Sequence, residues 1–511
     1  MKLFILAHDL GTTGNKASLF DDEGRLVAST FSGYETAYPR PTWAEQNPED
    51  WWLAVINATR ELLGKSHVAP QAIAVIAFSG QMMGCLPVDA KGKPLRPCII
   101  WADQRAVAQA KQLDERVGEE RIYRITGHRI SPTYSASKIG WVRDNEKEIF
   151  KQAHKFLHVK DYIALRMTGT FATDRSDASG MNLYDLEQGI WSDEILKALD
   201  LDPQLLPEIH NSADVIGELT KPAAEQLGLA AGTPVVIGGG DGASAAVGAG
   251  AVMEGPAYNY IGSSSWISFA APRPIYDPGR RIFNWAHMVP NMFAPCGTMQ
   301  AAGGSYQWLR RQVCWIEGRE AEETGEDVYE IINRRAAQSI PGAHGLLFLP
   351  YLQGERSPHW NPEARGGFVG LQVTHTRADL IRATLEGISM NLKTILQSFL
   401  DANAKVDEII LIGGGAKGEL WRQILADFFG RPTLRPRLLE EATSLGAAIA
   451  GGVGIGLFQD FSIVKQRIEI VDRHVPNSEA QAVYDRLYPI FLGTYDALVP
   501  IFNQLHKLNN L

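Results

Sequence analysis

The chain has 511 residues, 45% hydrophobic and 21% charged, with a formal net charge of −9. That length exceeds one hydrophobic core and predicts two or three domains. Acidic charge spread along the chain argues against nucleic acid or an anionic membrane surface as a partner, since both favour clustered Lys and Arg. Residues 3–8 form an apolar run that Asp9 ends too early for a signal peptide, so the run reads as a buried first strand. No stretch approaches about 18 uninterrupted apolar residues, so no membrane span is expected and the chain reads as cytoplasmic. Residues 16–20 and 25–30, around the turn 21–24, read as a hairpin. A helix is predicted from near Pro48 through Leu63, with acidic residues at its start, followed by a buried strand over 73–78. The second half repeats this order. An apolar strand over 234–237 stops at Gly238-Gly-Gly-Asp241-Gly242, and strands over 257–261 and 266–270 flank Gly262-Ser-Ser-Ser265. A strand over 408–412 runs into Gly413-Gly-Gly-Ala416, and a helix is predicted over 419–429. Strands that end in glycine-rich loops and feed helices predict α/β domains with ligands at the strand ends. The main boundary is placed near residue 245, in the small-residue stretch 242–250, dividing the chain into 1–245 and 246–511.

Asp9-Leu-Gly11-Thr12-Thr13 suits a Mg·nucleotide. The glycine lets backbone N–H groups approach phosphate oxygens, the two hydroxyls donate further bonds, and the carboxylate can hold a hydrated metal. The plain alternative is a hairpin turn. Gly262 and Ser263 offer the same chemistry without the Asp, and Gly414, Gly415 and Ala416 are a third glycine-rich candidate. No GxxxxGK[ST] occurs, so none of these is a Walker A loop. Asp241 ends a buried strand behind three glycines, where a carboxylate can take a proton from an attacking hydroxyl; capping the next helix is the alternative. Ser79-Gly-Gln81-Met82-Met83-Gly84 and Trp101-Ala-Asp103-Gln-Arg105 combine an apolar wall with hydroxyl-binding groups, as a polyol pocket requires. Core methionines and a surface Asp103–Arg105 ion pair are the bland readings. The cysteines Cys85, Cys98, Cys296 and Cys314 have no zinc spacing and read as isolated thiols.

Taken together, these motifs resemble the FGGY carbohydrate kinases over nearly the whole chain and in the family's order. DLGTTGNKASLFDDEG is similar to the first phosphate loop, WAEQNPEDWW to an early family segment, and SGQMMG with IIWADQR to the sugar site. HKFLHVKDYIALRMTGTFATDRSDASG resembles the stretch before the hinge, GGGDGA the segment with the catalytic Asp, and LIGGGAKGELWRQILAD the adenosine loop. LPYLQGERSPHWNPEARGGFVGL and DLIRATLEGIS resemble the second signature, with GERSPHWNPEARG and GQM closest to xylulokinases. The resemblance implies an α/β fold of two actin/hexokinase-like (ribonuclease H-like) domains around a deep cleft, with the sugar on the first and ATP on the second. It implies Asp241 as general base and Asp9, with Asp241, as the Mg²⁺ site. Gly11, Thr12, Thr13, Gly262 and Ser263 would bind phosphates, Gly303 and Gln307 would line the nucleotide site, and Gly414, Gly415 and Ala416 would hold adenosine. Gln81, Met82, Met83, Trp101, Asp103 and Asp241 would surround the sugar. D-xylulose, giving D-xylulose 5-phosphate, is the acceptor the resemblance favours; L-xylulose, ribulose, erythritol and gluconate are alternatives. Met83 stands where xylulokinases carry His, and Gly242 where they carry Asn, which removes two directional donors from the sugar side. Family members are often dimers, so a homodimer is expected by analogy. A non-catalytic ATP-binding module of this fold is the rival from another class, and an NAD oxidoreductase fails because no GxGxxG follows the first strand.

Overall fold

The computed structural model describes residues 2–509; the outer domain limits at 1 and 511 lie outside them. The first half is built on a seven-stranded sheet. Its strands are β1 (Phe4–Leu10), β2 (Gly14–Asp21), β3 (Leu26–Gly33), β4 (Ile73–Gly80), β5 (Val215–Glu218), β6 (Pro234–Val236) and β7 (Gly239–Gly240). The order is β5-β6-β4-β1-β2-β3, with β7 paired to β4. β1 lies parallel to β4, with Asp9 opposite Ser79, and β7 lies parallel to β4, with Gly239 opposite Ser79. That register brings Asp9, Gly80 and the residue after Gly240 to one edge of the sheet. The strand expected over 234–237 is β6, and the chain pairs again as β7 within the glycine run that follows it. Gly238 between them has φ of +68°, and a Cβ there would lie 1.8 Å from the Phe78 carbonyl. Only glycine lets the chain pass that close to β4. α1 (Pro48–Ser66) starts at the Asn47 cap and buries Trp51, Trp52, Val55 and Leu62 against Leu6, Leu10 and Ile76. α2 (Ser135–Asn145), α3 (Val159–Thr168) and the short α4 (Arg175–Ser179) complete the part that faces the site.

α5 (Asp241–Gly248) leads into a second seven-stranded sheet. Its strands are β8 (Gly255–Ile261), β9 (Ser265–Phe269), β10 (Phe283–Ala286), β11 (Phe293–Met299), β12 (Val406–Ile412), β13 (Thr433–Pro436) and β14 (Ile470–His474), in the order β10-β11-β9-β8-β12-β13-β14. α6 (Gly303–Gln312), α7 (Arg377–Asp401) and α8 (Glu419–Phe429) lie in this half, and Ile388, Ile395, Phe399, Trp421 and Leu425 fill its core. As expected, each half opens with a strand, a Gly/Ser/Thr loop and a hairpin partner.

Between the sheets, α5 crosses α9 (Ala442–Gly454). A Cβ on Gly248 would meet Ala442 O at 1.8 Å, and one on Gly446 would meet Ser244 O at 2.0 Å, so small residues at the crossing set how closely the helices approach. Leu445, Ala447 and Ile449 of α9 pack on Ile5, Ala7 and Val75 of the first sheet, while Ala245 and Ala246 of α5 pack with Tyr258 and Ile410 of the second. The boundary placed at 245 falls inside α5, and the two halves interleave through this helix pair. No helix among the described residues is long and apolar enough to cross a membrane.

Candidate active site

The first loop is a tight turn in which Gly11 N–H donates to Gly14 O at 3.0 Å. Its carbonyls are fastened from behind. Gly11 O accepts from the Tyr34 hydroxyl and from Gln81 Nε2 (3.3 Å), and Thr12 O accepts from Gln46 Nε2 (2.7 Å). Trp101 Nε1 donates to Thr12 Oγ1 at 2.9 Å, which joins the expected sugar wall to the expected phosphate loop. With its carbonyls turned inward, the half-buried Thr12 and exposed Thr13 form the tip of the loop, the arrangement by which backbone N–H groups receive anions.

The second loop, Gly262–Ser264, is zipped onto the start of α6. Gly303 N–H donates to Gly262 O (2.9 Å), and the N–H groups of Ala302 and Gly304 donate to Ser263 O (3.0 and 2.9 Å). Ser263 is exposed at the tip, and Gln307 is exposed one turn along α6. Gly414, Gly415 and Ala416 lie in a 3₁₀ turn over Gly414–Lys417 after β12, with Gly414 exposed and Ala416 buried. β8 pairs with β12, Tyr260 opposite Ile412, so these two loops are neighbours at one sheet edge. Lys16 Nζ in the first half and Lys417 Nζ in the second both bond Glu440, at its carbonyl (2.8 Å) and its Oε1 (2.6 Å).

Asp241 is the first residue of α5, half-buried, and its Oδ1 accepts the N–H of Gly242 at 2.7 Å. Burial and the nearby Asp9 carboxylate push its pKa up to about 7; the Gly242 N–H opposes this, and Asp177 adds to it. Asp9 Oδ2 accepts from Thr443 Oγ1 on α9 at 2.5 Å, so the helix from the second half also positions the carboxylate of the first. A carboxylate whose ionisation is opposed by a second carboxylate nearby fits a bound divalent cation.

On the other side, Gln81 braces the first loop through its Nε2, while its buried Oε1 has no partner among the described residues. It is 2% exposed, and its Nε2 donates to Gln46 Oε1 (2.8 Å), which also accepts from Trp51 Nε1 (3.0 Å). Met82 packs against Gly240 and Gly180, next to Asp241. Met83 has φ of +62°, and its carbonyl accepts from the buried Lys138 Nζ at 2.8 Å. Asp103 is fully buried. It takes a forked ion pair from Arg105 (2.7 to 3.0 Å) and the N–H of Ala44 (2.6 Å). The Asp103–Arg105 pair is therefore an interior one, with Arg105 also on Glu45 (2.7 Å) and 3.7 Å over Trp43.

Several residues that shape the site carried no assignment from the sequence. Gln46, Tyr34 and Thr443 act through hydrogen bonds that span 34, 23 and 434 positions, which local spacing does not reveal. Beneath the Gln81–Gly84 loop lies a fully buried charge cluster. Lys160 Nζ contacts Asp161 (2.7 Å), Asp174 (3.0 Å) and Asp177 (3.2 Å), and His158 Nδ1 lies 2.6 Å from Asp177. His158 Nε2 reaches Ser135 Oγ (3.0 Å), which donates to Gly84 O (2.7 Å). His158, Asp161 and Asp177 also have ligand atoms close enough to share a metal, but the Lys160 ammonium occupies that role among them. Charged residues in an otherwise apolar stretch, HVKDYIAL, were the available signal.

Family models match this chain in two blocks: the FGGY carbohydrate kinase N-terminal domain over residues 4–248 and the C-terminal domain over 257–455. The gluconokinase of Bacillus subtilis (strain 168) is 33% identical over 506 residues, covering 99% of this chain and 98% of that protein. The xylulose kinase of Escherichia coli (strain K12) is 34% identical over 493 residues, covering 96% of this chain and 99% of that protein. Among solved structures, the gluconate kinase from Lactobacillus acidophilus superposes with a TM-score of 0.91 at 28% identity, covering 99% of this chain and 100% of that one. The fold is thus the two-domain actin/hexokinase-like one, and the chain belongs to the FGGY family of carbohydrate kinases.

Proposed function

We propose that this ATP-dependent kinase phosphorylates a terminal hydroxyl of a small open-chain sugar, with Asp241 as general base. The observation that supports this best is Asp241 itself: a half-buried carboxylate at a helix start, beside Asp9, with a pKa pushed up to about 7. A carboxylate at that position can take a proton from an alcohol. Asp241 would orient the acceptor hydroxyl and take its proton as the oxygen attacks the γ-phosphorus. The N–H groups at the Thr12–Thr13 and Gly262–Ser263 tips would neutralise charge on the transferred group, so catalysis is mainly positioning and electrostatic stabilisation. Asp9 and Asp241 would hold Mg²⁺, which when bound shields the phosphate charge. Closure of the halves about the α5–α9 crossing would exclude water as a competing acceptor.

D-xylulose and gluconate are the acceptors suggested by the relatives' names. Two features weaken the ketose reading. Met83 brings no polar side chain, and a Cβ at Gly242 would meet nothing within 4 Å, so space is left where an amide donor would sit. The test is ADP release with Mg·ATP across ketopentoses, polyols and sugar acids, repeated with Asp241→Ala. The variant is expected to lose at least ~10²-fold in turnover while binding a fluorescent ATP analogue as the wild type does. Near-normal turnover would rule Asp241 out as base.

A further inference from the structure

A cavity of about 290 Å³ lies in the seam between the halves, and none of the residues assigned to sugar, nucleotide or metal lines it. The first half supplies Arg175 at the start of α4, and Tyr184 and Gly189 from the hairpin that pairs Tyr184 with Trp191. The second half supplies residues 286–293, which connect β10 to β11. Its volume suits a small metabolite and is too little for a nucleotide.

Two donors converge in it without an acceptor. Arg175 is half-buried, and its guanidinium makes no hydrogen bond or ion pair among the described residues. Tyr184 is 1% exposed, yet its hydroxyl has no hydrogen-bond partner among them. Burial pushes the Tyr184 hydroxyl up to about 12, against the Arg175 charge, so it keeps a proton to donate. Both groups border Gly189: a Cβ there would lie 3.4 Å from Tyr184 Oη and 3.8 Å from Arg175 Cζ and Nη1. Glu187, the one carboxylate of the lining, accepts the Tyr276 hydroxyl at Oε1 (2.9 Å). His287 brings no charge. Its Nε2 lies 3.0 Å from Ala251 O, its Nδ1 accepts the Val289 N–H (3.0 Å), and burial lowers its pKa to about 4. A guanidinium fork beside a phenol hydroxyl, with no acceptor between them, matches an oxyanion. A phosphoryl group, with three terminal oxygens and up to two charges, can meet the fork and the hydroxyl with separate oxygens. The cavity also touches the catalytic segment, because Met288 lines it and a Cβ on Gly239 would lie 2.8 Å from Met288 Cγ.

We propose that this cavity is a second ligand site, which takes inorganic phosphate or the phosphoryl end of a small phosphate monoester on Arg175 and Tyr184, and is coupled to the cleft through Met288 and Gly239. Its walls come from both halves, so an occupant bridges them. Binding there does not depend on which acceptor the cleft takes.

The experiment is calorimetry on the full chain with the cleft saturated by Mg²⁺ and the β,γ-imido analogue of ATP, so that the phosphate loops are filled. The titrants are inorganic phosphate, glycerol 3-phosphate and acetate, on the wild type, Arg175→Met and Tyr184→Phe. The wild type should bind a phosphate; Arg175→Met should weaken that binding at least ~10-fold and Tyr184→Phe by ~3-fold or more. Tighter binding of inorganic phosphate marks the free ion as the ligand, and tighter binding of glycerol 3-phosphate marks an ester. An unchanged circular dichroism spectrum and KM for ATP in both variants separate lost binding from lost folding. No phosphate binding in the wild type, or equal binding in all three proteins, overturns the site, and acetate binding as tight as phosphate overturns the phosphoryl assignment. The bound phosphate should also change acceptor kcat/KM by ~5-fold or more in the wild type and leave Arg175→Met unaffected. Acceptor kinetics indifferent to phosphate in a wild type that binds it overturn the coupling through Met288.

Discussion

Asp103 and Asp241 bring the same carboxyl group to the first half's strand ends, in opposite circumstances. Asp241 accepts one short bond from its neighbour's N–H and shares its surroundings with Asp9, so its free oxygen is available for chemistry. Asp103 is closed in by Arg105 and Ala44 N–H. Its removal should act on folding before it acts on the sugar. Asp103→Ala leaves the Arg105 guanidinium, 1% exposed at its side chain, short of a partner, and breaking a buried pair on one side costs about 3–5 kcal/mol. Urea unfolding should show that loss, with the acceptor KM of the folded enzyme little changed. A variant of undiminished stability and many-fold higher KM would instead return Asp103 to the sugar pocket. Sequence alone named both carboxylates, because an Asp at a strand end is a local signal. It gave Asp241 as base and Asp103 to the sugar, and it did not show that Asp103 is closed in, because burial belongs to the assembled fold.

The crossing of α5 and α9 ties this chemistry to helix packing. Asp241 is the first residue of one helix, and Thr443, which bonds Asp9, lies in the first turn of the other. Gly446→Ala would place a methyl carbon 2.0 Å from a backbone oxygen, a contact no rotamer change relieves. Overpacking of this kind costs about 1–3 kcal/mol or more. The variant should melt several degrees lower and lose turnover as Asp241 and Asp9 shift. A thermal midpoint equal to wild type would mean the helices separate freely and do not set the site. The strands were readable from apolar runs ended by glycine, and α8 matches its expected range over 419–429. The stretch 242–250 read as a boundary because its small residues show no apolar stripe. α5 is buried between two sheets, so it needs small volume on every face rather than an amphipathic pattern. α9, AAIAGG through its middle, went unassigned for the same cause.

That one interleaved core joins both sheets also governs how the protein should respond to acid. The duplicated strand-loop-hairpin plan was legible because each half carries its own copy, whereas the return of α9 onto the first sheet is a contact across hundreds of residues. His8 lies on β1 against Phe78 (6.1 Å between rings), His128 against Phe283 and Trp285, and His287 at 3.0 Å from Ala251 O. His128 thus joins the first half to β10, and His287 meets the connection between α5 and β8. Burial lowers the pKa of His8 and His287 to about 4 and of His128 to about 3. All three are neutral in the folded protein at pH values where the unfolded chain has begun to bind protons. Stability from these groups is complete above the unfolded value near 6.5 and is lost as pH falls toward 4, with slopes adding to at most about 4 kcal/mol per pH unit. Urea midpoints at pH 7.5, 6.5, 5.5 and 4.5 should decline through that window. His128→Phe, which keeps a ring against Trp285 but binds no proton, should make the decline shallower by about one proton's worth. A decline as steep in the variant as in the wild type would show that His128 titrates in the folded state, and that the contact between the halves opens before the molecule unfolds.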